Sequence, residues 1–183
     1  WPADERLWAE VTDWLREKQI QLVIAPHEVD ESSIQKTLAL FPTAARLSKP
    51  FSETELKPDL LIIDQVGLLS RLYRYGWVNY VGGGLTRGGV HNVLEAAVYG
   101  RPVISGPRIE KYREACELAK TEGLISLPEI NTSTSLKNIL QKWWDESATA
   151  DAVGLQAASY VRERAGSVER IMQHIQENRL LIN

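Results

Sequence analysis

The run Asp-Leu-Leu-Ile-Ile-Asp, residues 59–64, has no polar side chain between its acidic ends. A strand of that composition needs cover on both faces, and a parallel sheet between two helix layers provides it. The rest of the chain fits the same plan. Leu7, Trp8, Val11, Trp14 and Leu15 recur at three- and four-residue spacing, which predicts an amphipathic helix over 3–18. A buried strand is expected at 20–25, then a helix at 30–41 with acidic and hydroxyl residues at its start. A short strand at 43–48 leads into a polar loop that runs to Pro58. Beyond the 59–64 strand come a short helix after Gly67, a strand at 77–81, a helix at about 91–99, a strand at 102–105, a helix at 110–120 and a short strand at 124–127. Three helices over 135–144, 148–164 and 168–176 close the chain. Strand and helix alternate, so the expected class is α/β: one parallel sheet with helices on both faces.

At 183 residues the chain is long enough for one domain with a sizeable core. Its formal net charge of -3 argues against nucleic acid as a partner and against a basic membrane-binding face, because both depend on clustered Lys and Arg. The single cysteine, Cys116, excludes an intrachain disulfide or a multi-cysteine metal site, and reads as a small apolar residue on a packed helix face. No apolar run approaches the ~20 residues of a membrane-spanning helix. The chain opens at Trp1 without an initiator Met, and a segment amino-terminal to it is expected.

In a doubly wound sheet, ligands sit beyond the carboxyl ends of the strands. Three of the expected strand ends carry unusual residues: Pro26-His27-Glu28, Gln65-Val66-Gly67 and Gly82-Gly83-Gly84. Their convergence predicts one cleft. A loop without Cβ atoms can curl its N–H groups around an anion, and the helix expected from His91 and Asn92 adds its positive end. Glu95 follows one turn along that helix, where its carboxylate suits the two hydroxyls of a ribose. Phosphate and ribose together indicate a nucleotide. No Lys-Ser or Lys-Thr follows the glycines, which excludes a P-loop; Arg87 stands where the dinucleotide fingerprint needs glycine; and His27-Glu28 lacks the second histidine of a zincin. Each residue also has a purely structural reading: a tight packing turn for the glycines, a solvated carboxylate for Glu95, a helix cap for Asn92 and a hydrogen-bonding role for His27. Their joint placement on neighbouring strand ends favours the ligand site.

The stretch from Asp59 to Pro107, with "GGG…HNxLEAA" followed by "GxPVIxGP", resembles the nucleotide-sugar-binding half of bacterial 3-deoxy-D-manno-octulosonic acid (Kdo) transferases. The likeness runs from "WPADE" to about Gly123. It implies a Rossmann-like three-layer α/β domain over 1–183, the C-terminal half of a GT-B glycosyltransferase. It further implies that the family's strand and small-residue turn just before this Trp have been cut away, and the helices from about 148 are expected to pack on a missing N-terminal domain. The donor would be CMP-Kdo. Gly82, Gly83 and Gly84 with Asn92 would surround its phosphate, Glu95 would hold the ribose, Pro26, His27, Glu28, Val66 and Gly67 would flank the cytosine or phosphate, and His91 would belong to the same nucleotide-sugar-binding set.

The same resemblance implies an inverting displacement at the anomeric carbon, through an oxocarbenium-like transition state, that moves Kdo to a lipid A precursor in lipopolysaccharide synthesis. It places this at the cytoplasmic face of the bacterial inner membrane. No catalytic residue is expected in this stretch, because the base belongs to the N-terminal half. The domain alone would be inactive, would need no cofactor or metal, and would leave acceptor and membrane contact to the missing half. Many members carry Pro-Arg-His where this chain has Pro26-His27-Glu28, Gly-Glu at Gly67-Leu68 and Ser at Gly84. The first change removes a guanidinium that Arg87 or Arg108 would have to replace. The competing readings are a GT-B domain for a UDP- or GDP-sugar, and a non-catalytic nucleotide-binding or docking module that uses the tail 178–183.

Overall fold

The computed structural model describes residues 1–49 and 58–178; most of the loop expected before Pro58, and the tail over 179–183, lie outside them. Among the described residues, six strands pair in parallel throughout, but as two three-stranded sheets where the sequence predicts one. In the first, β1 (Leu22–Ile24) and β2 (Ala45–Arg46) flank β3 (Leu60–Ile62), the strand of the apolar run. In the second, β4 (Asn79–Val81) and β6 (Ile125–Ser126) flank β5 (Val103–Ser105). The edges β1 and β4 are not joined, and both line a cavity of about 500 Å³.

The helix expected over 3–18 is two helices, α1 (Pro2–Ala9) and α2 (Thr12–Glu17). The break is local: the Thr12 hydroxyl donates to the Ala9 carbonyl at 2.8 Å, a side-chain bond that competes with the helix ladder. The start of α3 (Glu31–Leu40) is legible, since Asp30 accepts from the Ser33 N–H at 3.1 Å as its N-cap. A single turn, α4 (Leu69–Leu72), runs into a 3₁₀ turn at Tyr73–Tyr75; then follow α5 (Leu94–Ala97), α6 (Arg113–Lys120), α7 (Thr132–Asp145), α8 (Ser147–Arg164) and α9 (Ser167–Glu177).

Strand β5 shows the layering. Val103 belongs to a buried cluster with Val93, Ala96, Leu118 and Ala157, whereas its neighbour Ile104 belongs to another with Trp14, Leu136, Leu140 and Trp143. Successive side chains of a strand point to opposite faces, so each face of β5 carries its own helix layer. Ile34, Phe41, Leu60 and Ile62 form a third cluster on the first sheet.

The helices from about 148 differ in how far they pack within this domain. Ala150, Gly154, Ala157 and Tyr160 bury α8 in this domain, and a Cβ at Gly154 would strike the Gly100 carbonyl oxygen. Only α9 keeps an open apolar stripe, with Val168, Ile171 and Met172 exposed. A further tie holds α8 to α6: Glu117 accepts from Arg113 Nε at 2.6 Å and from the Tyr160 hydroxyl at 2.8 Å, with Arg164 Nε 3.3 Å away. The Arg113 bond, with the Tyr160 bond second, holds the Glu117 carboxyl down at about 2.

Two outcomes follow for stability. Gly154→Ala is expected to cost about 1–3 kcal/mol in urea unfolding by overpacking, while Leu155→Ala, at an exposed position next to it, stays within about 0.5 kcal/mol. Glu117 has a folded pKa below its unfolded one, so its contribution is complete above 4.5 and is lost as pH falls toward about 2. Acid titrations should therefore show Glu117→Gln less stable than the parent near neutrality, with the difference closing across that window.

Candidate nucleotide site

The carboxyl ends of β1 and β4 meet around an aromatic cluster. The Trp1 indole stacks on the His27 ring, with centroids 3.8 Å apart and planes at 16°. His91 lies 5.2 Å from Trp1 and 5.3 Å from His27. Three rings from three separate segments thus close one end of the cleft. Partial burial, and next the neighbouring His27, push the His91 imidazole below its ordinary pKa, which favours the neutral ring at neutral pH. Trp1 was not among the residues expected from the sequence, where it read only as the start of the chain.

The glycine loop is built differently from the anion cradle that the sequence predicts. The Gly83 N–H donates to Asp4 Oδ2 at 3.0 Å, and the Tyr80 hydroxyl donates to Asp4 Oδ1 at 2.6 Å. Burial, with Asp4 beside it, drives the Tyr80 phenol far above its usual pKa and keeps it a donor. The carbonyls are committed too: His91 N–H donates to Gly82 O at 3.0 Å, Thr86 N–H to Gly83 O at 2.9 Å and Arg108 N–H to Gly84 O at 3.0 Å. Gly83 needs its glycine, since φ is +93° and a Cβ would lie 2.5 Å from the Gly89 carbonyl oxygen. At Gly84 a Cβ would come within 2.9 Å of the Gly106 backbone, so that glycine serves close packing of two loops.

The helix expected from His91 starts at Leu94 and is a single turn, which leaves little macrodipole to aim at an anion. Asn92 caps it: Oδ1 accepts from the Leu94 N–H at 3.1 Å, while Nδ2 donates to Glu95 Oε1 at 3.0 Å. Asn92 therefore orients Glu95. The Glu95 side chain is exposed, and Oε2 has no protein partner among the described residues. This geometry suits acceptance of hydroxyl donors.

Other expected residues fall outside this group. Pro26 is half-buried in the turn after β1, and Glu28 accepts from the Ser33 hydroxyl at 3.3 Å, which turns it toward the start of α3. Val66 is 84 % exposed, and a Cβ at Gly67 would meet nothing within 4 Å, so no contact draws this turn onto the glycine loop. Arg108 is anchored by backbone bonds to Gly84 and Val90, its exposed guanidinium 3.6 Å from Glu129; Arg87 is exposed on the loop. Asp4 and Glu5 are the acidic residues that sequence reasoning missed. They sit in the first turn of α1, where a carboxylate is ordinary, and the partners Tyr80 and Thr37 are remote in sequence. Among the described residues no three His, Cys, Asp or Glu side chains are grouped to hold a metal, and no helix is long and apolar enough to cross a membrane.

No family model matches the chain. Among curated proteins it is 32 % identical over 107 residues to the 3-deoxy-D-manno-octulosonic acid transferase of Aquifex aeolicus, covering 57 % of this chain and 28 % of that protein. To the enzymes of the same name from Rickettsia prowazekii and Bordetella pertussis it is 27 % and 29 % identical, over 75 % and 83 % of this chain and 31 % and 35 % of theirs. The chain thus spans about a third of the length of these relatives. Among solved structures it matches the C-terminal CMP-Kdo binding domain of WaaA from Acinetobacter baumannii with a TM-score of 0.69 and 17 % identity, over 86 % of this chain and 82 % of that one. The chain is similar in sequence to Kdo transferases, and its α/β fold is that of a CMP-Kdo binding domain.

Proposed function

We propose that this chain is the donor-binding domain of an inverting GT-B Kdo transferase and holds CMP-Kdo over the carboxyl ends of β1 and β4. The observation that carries the reading is the convergence of His27, the Gly82–Gly84 loop, His91 and the Asn92–Glu95 pair at one cleft, in a chain similar to Kdo transferases. Glu95 Oε2 accepts from the ribose hydroxyls, with Asn92 fixing the carboxylate. The phosphate lies along the glycine loop beside His91. Arg108, whose backbone is fixed to that loop, supplies positive charge in place of the guanidinium absent at position 27.

As the bond from Kdo to CMP breaks, negative charge grows on the phosphate, and groups already oriented by the fold stabilise it without reorganising. Gly83's N–H is held by Asp4, so that bond sets the loop's shape and the charge compensation comes from side chains. The acceptor base, the lipid A precursor and the inner-membrane contact belong to a second domain, onto which the apolar stripe of α9 packs. The charge of -3 fits a domain that does not itself bind anionic lipid.

Calorimetric titration with CMP should give saturable binding that exceeds that of UMP and GMP; equal affinity for all three would instead favour a domain for another nucleotide sugar. Glu95→Ala is expected to weaken CMP binding by about 1.5–3 kcal/mol, and Asn92→Ala by less, because only the orienting bond is lost. Asp4→Ala leaves the Tyr80 hydroxyl and the Gly83 N–H unpartnered, at about 1–3 kcal/mol each, which urea unfolding would register as a loss of stability.

A further inference from the structure

A phosphate laid on the glycine loop arrives beside two carboxylates. Asp4 is bound to the Gly83 N–H at 3.0 Å, and Glu95 stands exposed one turn past His91. The cation that the loop's own neighbourhood offers is already shared, since the Arg108 guanidinium lies 3.6 Å from Glu129. The same end of the cleft carries two imidazoles, His27 and His91, with ring centroids 5.3 Å apart and planes at 63°. They come from separate segments: His27 follows β1, and His91 is held to the loop by its backbone bond to Gly82 O at 3.0 Å. The His91 ring edge rests on the loop itself, with Cδ2 2.8 Å from the Cβ position of Gly83. Both rings reach solvent, and among the described residues neither makes a side-chain hydrogen bond. Their nitrogens are therefore available to a ligand oxygen and to a proton.

We infer that His27 and His91 act as one proton-binding unit that takes up a proton together with the donor phosphate, so that the anion is met by an imidazolium formed on its arrival. This rests on the donor-binding reading above and adds the chemistry by which the site balances charge. Before the anion arrives, burial, His27 and the Trp1 amino group oppose a proton on His91, while Asp4 and Glu95 favour it; the opposing set is stronger. Around His27, the Trp1 ring covers one face and the Glu28 carboxylate is turned away to Ser33. Two imidazolium ions this close repel, so the pair takes one proton more readily than two, and that proton belongs to the pair. A phosphodiester adds a fixed negative charge within reach of both rings and reverses the balance. The proton comes from solvent, no covalent bond changes, and the imidazolium N–H donates to a phosphate oxygen. Because protons are bound with the ligand, affinity falls as pH rises through the range in which the occupied pair gives its proton up.

The test is calorimetric titration with the methyl ester of CMP, a phosphodiester that does not itself ionise near neutral pH, in two buffers that differ in ionisation enthalpy. The heats should report about 0.5–1 proton taken up per ligand at pH 7, with affinity falling about threefold to tenfold from pH 7 to pH 8. The double variant His27→Gln/His91→Gln should take up less than about 0.1 proton and bind with an affinity that no longer varies with pH. It keeps the Trp1 amino group and His174, so uptake that persists in it places the proton elsewhere and overturns the inference. His27→Arg supplies a permanent charge, and should bind about threefold more tightly than the parent at pH 8 with less than half its proton uptake. If the double variant binds too weakly to titrate, uptake in His27→Arg equal to the parent's overturns the inference instead. Binding of the ester by the parent without a proton overturns this inference and leaves the donor-binding reading standing. Failure of the folded parent to bind either CMP or its ester at any of these pH values brings down both.

Discussion

Two successive buried carboxylates hold the two halves of this domain in register. Asp4, 4 % exposed, reaches into the second sheet through Tyr80 and the Gly83 N–H; Glu5, 8 % exposed, accepts from the Thr37 hydroxyl of α3 at 2.9 Å and so ties α1 to the first. A buried carboxylate is tolerated only when its oxygens find donors, so these bonds fix where α1 can lie. Because β1 and β4 do not pair, α1 takes on a bridging task that hydrogen-bonded strands perform elsewhere in the fold. Displacing it would unseat Trp1 from His27 and release the glycine loop, so the cleft depends on this helix as much as on the strands beneath it.

Local pattern made most elements legible. The apolar run at 59–64 contains β3, the helix expected over 135–144 falls within α7, and Asp30 marks the start of α3, because each signal lies within one turn or one strand of what it determines. The split into two sheets was hidden. Whether β1 meets β4 depends on what stands between them, and neither strand's own residues record that. The break at Thr12 and the shortness of α5 were missed for a related reason: a hydroxyl or amide bonding its own backbone competes with a helix without altering the apolar period.

The site divides along the same line. The meeting of His27, Gly82–Gly84 and His91 at one cleft was legible because strand ends in this fold class converge, and Asn92 both caps the turn at Leu94 and orients Glu95. Val66 and Glu28 also stood at strand ends, but that address says nothing about side-chain direction: one points to solvent, the other to α3. Asp4 was invisible because its importance lies entirely in partners 76 and 79 residues away. Long-range polar pairs of this kind have no sequence period to betray them.

The contact between Gly84 and Gly106 has a consequence for how the cleft behaves as a receptor. With no side chain between them, the loops after β4 and β5 rest backbone on backbone, and Gly106 O also accepts from the Ser105 hydroxyl at 3.0 Å and the Ser126 hydroxyl at 3.3 Å. The glycine loop at the cleft is thereby wedged against the sheet's interior instead of hanging free as a flap. A guest arriving there meets a surface already set, and little ordering entropy is lost on its arrival. The glycines that looked like a source of suppleness in the sequence make this part of the molecule stiff.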